Sequence, residues 1–143
     1  KKIKIENSVK ELIKEEEKFG IKKYETYLNF AEKVYQIRKN VRKNISKLKK
    51  DEAKIVGYGS PAKATTALNF FGISNEIDHI FEDNKLKHGK FVPGVKIPII
   101  KKKILDNKPD IAVVLAWNFF DDIKANNKDI AKKLVSIKDL EKI

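Results

Sequence analysis

The chain has 143 residues, of which 41% are hydrophobic and 36% charged, enough for one domain with a real core beneath a heavily charged surface. Cysteine is absent, which excludes disulfides, thiolate metal sites and a cysteine nucleophile. The formal net charge of +12 would fit a polyanion, but nearly all of it is lysine spread along the chain, with Arg38 and Arg42 the only arginines, so a dedicated nucleic-acid function is not expected.

The N-terminus reads Lys-Lys-Ile-Lys-Ile-Glu and lacks the apolar core of a signal peptide. No apolar run approaches the roughly 20 residues of a membrane helix, so no membrane association is expected and a cytoplasmic location is the default. The chain starts at Lys1 and contains no methionine, which suggests a processed chain or a piece of a longer protein.

Residues 8 to 19 predict a helix, with Ser8 and Glu11 spaced as a capping box, Val9, Leu12 and Ile13 as an apolar stripe, and Gly20 as the stop. Tyr24 to Lys49 predicts a longer helix, because Tyr24, Tyr27, Leu28, Ala31, Val34, Tyr35, Arg38, Val41, Ile45 and Leu48 fall mostly three and four apart. Its aromatics read as packing residues, and its long charged face could also serve self-association.

From Lys54 the pattern alternates strand and helix. The predicted elements are a strand over Lys54 to Tyr58, a helix over Pro61 to Phe71 closed by Gly72, and a strand over Ile77 to Phe81 ending in Glu82-Asp83-Asn84. A loop from Lys85 to Val95 follows, then a short extended stretch over Lys96 to Ile99 that Pro98 limits to a sheet edge. Lys101 to Lys108 reads as a short helix or turn, Ile111 to Trp117 as a central buried strand, Phe119 to about Lys128 as a helix, and Lys133 to Ile137 as the last strand. Strands separated by helices imply right-handed crossovers and a mostly parallel sheet. The expected fold class is α/β and Rossmann-like, flanked by helices and preceded by an N-terminal helical pair. We expect a helical lead-in over residues 1–52 and an α/β domain over 53–143, together one structural unit.

The segment Gly57-Tyr58-Gly59-Ser60-Pro61-Ala62-Lys63 follows a short apolar run and opens a helical pattern, the layout of a strand, a tight turn and a helix N-terminus aimed at a phosphate. Gly57 would permit the turn, Gly59 would let backbone approach a diphosphate, and Ala62 is small enough for the helix to pack on the strand. Ser60 suits an N-cap and Pro61 a first helical position. Lys63 could contact a phosphate as a point charge. The same turn could also simply cap a helix and bind nothing.

In a doubly wound sheet, ligands lie beyond the carboxyl ends of the strands, which selects this turn, Glu82-Asp83-Asn84, the region around Ile99, and Trp117-Asn118. Asp83 follows Gly57 by about 26 residues, near the spacing at which an acid reaches a ribose hydroxyl, although a strand-end cap explains it equally. Asn118 could meet a base or sugar, or cap the following helix. His88 lies in the glycine-proline loop and could face ligand, whereas His79 reads as structural; neither has the neighbours of a metal site. Asp121 and Asp122 suit the first turn of a helix. No nucleophile–base pair and no acid/base dyad stands out, so no catalytic residue and no metal site are expected.

Several separated segments fall into one pattern. They are Gly57 to Lys63, Leu68-Asn69, Gly72-Ile73, Lys87-His88-Gly89-Lys90, Pro93-Gly94-Val95-Lys96-Ile97-Pro98-Ile99 and Leu115-Ala116-Trp117-Asn118-Phe119. Together they resemble the C-terminal domain of the sugar C-methyltransferases, enzymes that methylate a carbon of a nucleotide-linked keto-sugar, over most of the chain including the helical lead-in. The family turn usually reads Gly-Tyr-Gly-Ala-Ala-Ala-Lys-Gly; here Ser60 and Pro61 stand for two alanines and Ala64 for the last glycine. The resemblance implies a division of labour. An N-terminal domain binds zinc, a middle domain binds S-adenosylmethionine and holds the catalytic base, and the C-terminal domain helps to hold a nucleotide-sugar such as a dTDP-sugar. This chain is then expected to bind substrate and pack against a methyl-transfer domain, in cis or in trans, without being catalytic or holding a cofactor itself. The residues expected to contact substrate are Gly57, Tyr58, Gly59, Ser60, Pro61, Ala62, Lys63, Asp83, His88, Trp117 and Asn118. Two other readings stand beside it: an NAD-type dinucleotide-binding module, and a non-catalytic lysine-rich assembly domain, possible as a homo-oligomer.

Overall fold

A computed structural model describes residues 5–104 and 106–143. The chain divides into two compact units, one ending at Ile37 and one running from Arg38 to Ile143.

The first unit holds helix α1 (Asn7–Phe19) and the beginning of helix α2 (Tyr24–Lys50). Gly20 ends α1 as expected, in the left-handed conformation at φ 85°, with its N–H donating to Glu16 and Glu17 carbonyls. The predicted capping box does not form: α1 starts one residue before Ser8, and its cap, Glu6, makes no side-chain hydrogen bond. Between the helices, Thr26 Oγ1 donates to the Gly20 carbonyl at 2.8 Å.

The second unit begins with the remainder of α2, which buries Val41 and Ile45. Asn44 of this segment donates to the Leu140 carbonyl at 3.0 Å, and the Arg38 guanidinium lies 5.4 Å from the Phe70 ring centroid. Five parallel strands follow: β1 (Ile55–Tyr58), β2 (Ile80–Glu82), β3 (Ile99–Lys101), β4 (Ile111–Val114) and β5 (Lys133–Ser136), in the spatial order β3-β2-β1-β4-β5. Helices α3 (Ala62–Phe71) and α4 (Phe120–Asn126) follow β1 and β4. This is the expected Rossmann-like sheet. The chain moves outward from β1 to β3 and returns to the other side of β1 at β4, so the order reverses between β1 and β4.

Every residue of β1 and β4 is buried, as strands covered on both faces require. On one face Val56, Tyr58, Phe81, Ala112 and Val114 form a cluster with Ile130 and Ala131, against which Phe120 and Ile123 of α4 pack. Burial of each large side chain of this kind stabilises by about 1.5–3 kcal/mol. Gly57 sits inside β1 rather than in the turn. A Cβ there would come within 2.7 Å of Ile80 Cγ1 and 3.3 Å of Leu115 Cδ1, so glycine is required by strand-to-strand packing.

Element ends depart from expectation where the backbone finds other partners. The second strand starts at Ile80 rather than Ile77, which leaves His79 just before it. Pro98 precedes the edge strand β3, accepting from Ile80 N through its carbonyl. Trp117 leaves the fourth strand and opens a short 3-10 turn (Trp117–Phe119) into α4, which stops at Asn126. A 3-10 segment (Ile137–Lys142) that the pattern does not foreshadow follows β5 and buries Ile137 and Leu140. Of the predicted turn over Lys101 to Lys108, Leu105 lies outside the described residues; Lys101 closes β3 and the remainder is irregular. Among the described residues, no helix is long and apolar enough to cross a membrane.

Candidate functional site

The carboxyl ends of β1, β2 and β4 bring the loops at positions 59–63, 82–88 and 115–119 to one edge of the sheet. Gly59 carries the tight turn after β1 at φ 77°, and its N–H donates to the Phe81 carbonyl at 2.8 Å. A Cβ on Gly59 would stand 3.1 Å from the Ala116 Cβ, so the close approach this glycine permits is to the β4–α4 loop. Pro61 is the residue at the N-cap of α3, and Ala62 is the first helical position.

Ser60 does not cap that helix. Its N–H and its hydroxyl both donate to Glu82 Oε2, at 2.8 Å and 2.6 Å. Lys87 Nζ donates to the same oxygen at 3.3 Å and to the Ser60 carbonyl at 2.8 Å, and Asn84 N donates to Glu82 Oε1 at 3.0 Å. The glycine turn is thus an anion receptor whose Ser60 donors are filled by the chain's own carboxylate. Glu82 is only 8% exposed. Burial alone would raise its pKa, but the Ser60 hydroxyl, the Asn84 and Ser60 amides and the Lys87 ammonium outweigh it and hold the carboxyl down at about 2.

Asp83, one residue on, points to the other face. It accepts the Tyr58 phenol proton at 2.6 Å and lies 3.7 Å from Lys102 Nζ. Asn127 completes this group, 3.1 Å from the Tyr58 hydroxyl and accepting from Lys102 Nζ at 2.9 Å. Burial first, then the Asp83 carboxylate, push the Tyr58 phenol well above its ordinary range, so it is a fixed donor and not an acid at neutral pH.

At the point where the strand order reverses, Lys63 of α3 places its ammonium 4.0 Å from the centroid of the Trp117 ring. Here two residues 54 positions apart in sequence form a cation–aromatic pair beside the first turn of α3, where the Ala64 N–H donates to the Pro61 carbonyl at 2.9 Å. Asn118 is exposed in the 3-10 turn next to Trp117; Phe119 holds the N-cap position of α4, so Asn118 does not cap it. His88 is tied by Nε2 to the Glu82 carbonyl at 2.7 Å.

The expected site residues therefore fall into two groups. Gly59, Ser60, Lys63, Trp117 and Asn118 cluster at the strand reversal, whereas Asp83 and His88 border a neighbouring cleft with Tyr58 behind it. Glu82 is the residue that sequence reasoning passed over in favour of Asp83. Alternation along β2 could have identified it: Ile80 stands against Gly57, so Glu82, two residues on, turns toward the same face as the glycine turn, and Asp83 away from it. Among the described residues, no three histidine and acidic side chains gather as a metal site would need.

The profile of the C-methyltransferase C-terminal domain family matches residues 1–137. The chain is 32% identical over 124 residues to a C-methyltransferase of Streptomyces niveus, NovU, an alignment that covers 85% of this chain and 30% of that protein's length. The chain thus spans about a third of that relative. A parallel sheet reversing at β1, a glycine turn feeding α3 and a family match across nearly the full length together place this chain in the C-methyltransferase C-terminal domain family.

Proposed function

We propose that the α/β unit holds a nucleotide-linked keto-sugar, of the dTDP-sugar kind, for methyl transfer by a part of the enzyme outside this chain. The observation that carries the reading is the pairing of Lys63 with Trp117 at the strand reversal, beside the first turn of α3. A lysine ammonium and the positive end of a helix dipole suit a diphosphate, and an indole suits the face of a base or sugar. Because Glu82 already fills the Ser60 donors, the diphosphate sits toward Ala62 and Lys63, with Asn118 at hand for a hydroxyl or base edge. Glu82 also stands where a dinucleotide fold would offer its acid to a ribose, and it is committed to Ser60. That disfavours the NAD reading. S-adenosylmethionine and the catalytic base belong to the remaining part of the enzyme, which this chain meets in cis or in trans; the unburied stripe of α1 offers that part an apolar surface.

The test is a two-dimensional amide NMR titration of this chain with dTDP, a dTDP-sugar, NAD and S-adenosylmethionine in turn. The expected result is a shift at Ala62, Lys63 and Trp117 with the dTDP ligands only, weakened at least about tenfold in Lys63→Ala, the loss expected of one desolvated charge contact. Shifts with NAD alone would move the assignment to a dinucleotide module, and silence with all four to an assembly role. Gly59 is the wrong position to probe, since its φ of 77° and its contact with Ala116 would disturb the turn itself.

A further inference from the structure

We propose that the cleft over the carboxyl ends of β2 and β3 is a separate anion site that takes a phosphorylated sugar. This assignment does not rest on the nucleotide-sugar reading. The cleft has a volume of about 310 Å³ and is lined by Glu82, Asp83, Lys85, His88, Lys101 and Lys102. Parallel pairing sets Glu82 beside Lys101 at the strand ends, where ligands of this sheet type collect. That volume is at the small end of ligand pockets, suited to a monosaccharide phosphate rather than a whole dinucleotide.

The charges around it do not cancel. Glu82 is consumed by Ser60, Asn84 and Lys87, and Asp83 by Tyr58 and Lys102. Among the described residues, the Lys85 and Lys101 side chains have no ion-pair or hydrogen-bond partner. Two ammonium groups without a side-chain partner line one cleft, and a dianion held there is attracted to both. His88 adds direction. Its Nε2 faces a carbonyl oxygen, which can only accept, so Nε2 donates there and Nδ1 is the ring nitrogen left for a ligand. A sugar hydroxyl can pair with that nitrogen while its phosphate meets the lysines. Two lysines for the phosphate and the second imidazole nitrogen for a hydroxyl define the ligand class.

The experiment is an NMR titration of this chain with inorganic phosphate, ribose 5-phosphate and ribose, read at the amides of Lys85, His88 and Lys101. Ribose 5-phosphate is expected to shift these amides with at least about fivefold higher affinity than phosphate, and ribose to leave them unmoved. The double variant Lys85→Gln/Lys101→Gln should weaken binding at least about tenfold, while Lys63→Ala and the α1 pair Lys14→Gln/Lys18→Gln stay within about twofold. His88→Gln should erase the preference for ribose 5-phosphate over phosphate. An equal loss in the α1 pair would mean that net charge alone attracts the ligand, and shifts centred on Ala62 and Lys63 would return the phosphate to the glycine turn. Either result overturns the cleft site, and neither touches the outcome of the dTDP titration.

Discussion

In α1, Val9, Leu12, Ile13 and Phe19 recur at helical spacing, yet they are 47–74% exposed and the helix buries nothing. In β1, by contrast, all four residues are buried. Both segments carry an apolar pattern of the right period for their backbone. The difference lies in what each pattern can close upon. A strand finds ladder partners and two helical layers within its own unit, whereas a lone amphipathic helix defines a face without defining its occupant. Periodicity therefore reports secondary structure in both units but reports burial only in the second.

The comparison can be broken most strongly at Phe81, which is fully buried. Phe81→Ala should cost about 3–5 kcal/mol and lower the thermal midpoint by more than about 10 °C, measured by circular dichroism. Gly57→Ala comes next, at about 2–3 kcal/mol, because the new Cβ meets a β-branched side chain that cannot swing aside. A native-like midpoint would show that β1 and β2 can part without penalty.

Glu82→Gln should cost about 2–3 kcal/mol at neutral pH, and it should do so in a pH-dependent way. The folded carboxyl is held at about 2 against an ordinary value of 4.5, so its contribution is complete above about pH 4.5 and is lost as the pH falls toward 2. Denaturant midpoints of the two proteins should converge over that window; a constant gap would mean that the clamp does not depend on charge. At the small end, Phe19→Ala should stay within about 0.5 kcal/mol. A loss comparable to that at Phe81 would show that the α1 face is covered in solution.

Much of the α/β unit was legible because its chemistry is local. The glycine turn, the helix stop at Gly72, the edge strand that follows Pro98 and the apolar run at Ile111 to Val114 each follow from one short stretch. The site was less legible because its decisive contacts are not local. Ser60 meets Glu82 across 22 residues, and Lys63 meets Trp117 across 54, and no local pattern pairs them. Ser60 was expected to cap α3 because serine commonly does so. A buried carboxylate at the end of the next strand competes for the same hydroxyl and amide, and takes both. Trp117 reads as strand because an aromatic at the end of an apolar run looks like its continuation, whereas it opens the 3-10 turn into α4. Ser8 illustrates the opposite failure, a correct motif left unused because the helix begins one residue earlier.

Trp117 is the one tryptophan of the chain, and it lies outside the core, under the Lys63 ammonium. Intrinsic fluorescence of this domain therefore watches the mouth of the strand reversal and not the packing of its interior. Whatever draws the cation off the indole changes the field across the emitting ring, so the protein carries an optical reporter at the place where its ligand is proposed to enter, with no label to attach.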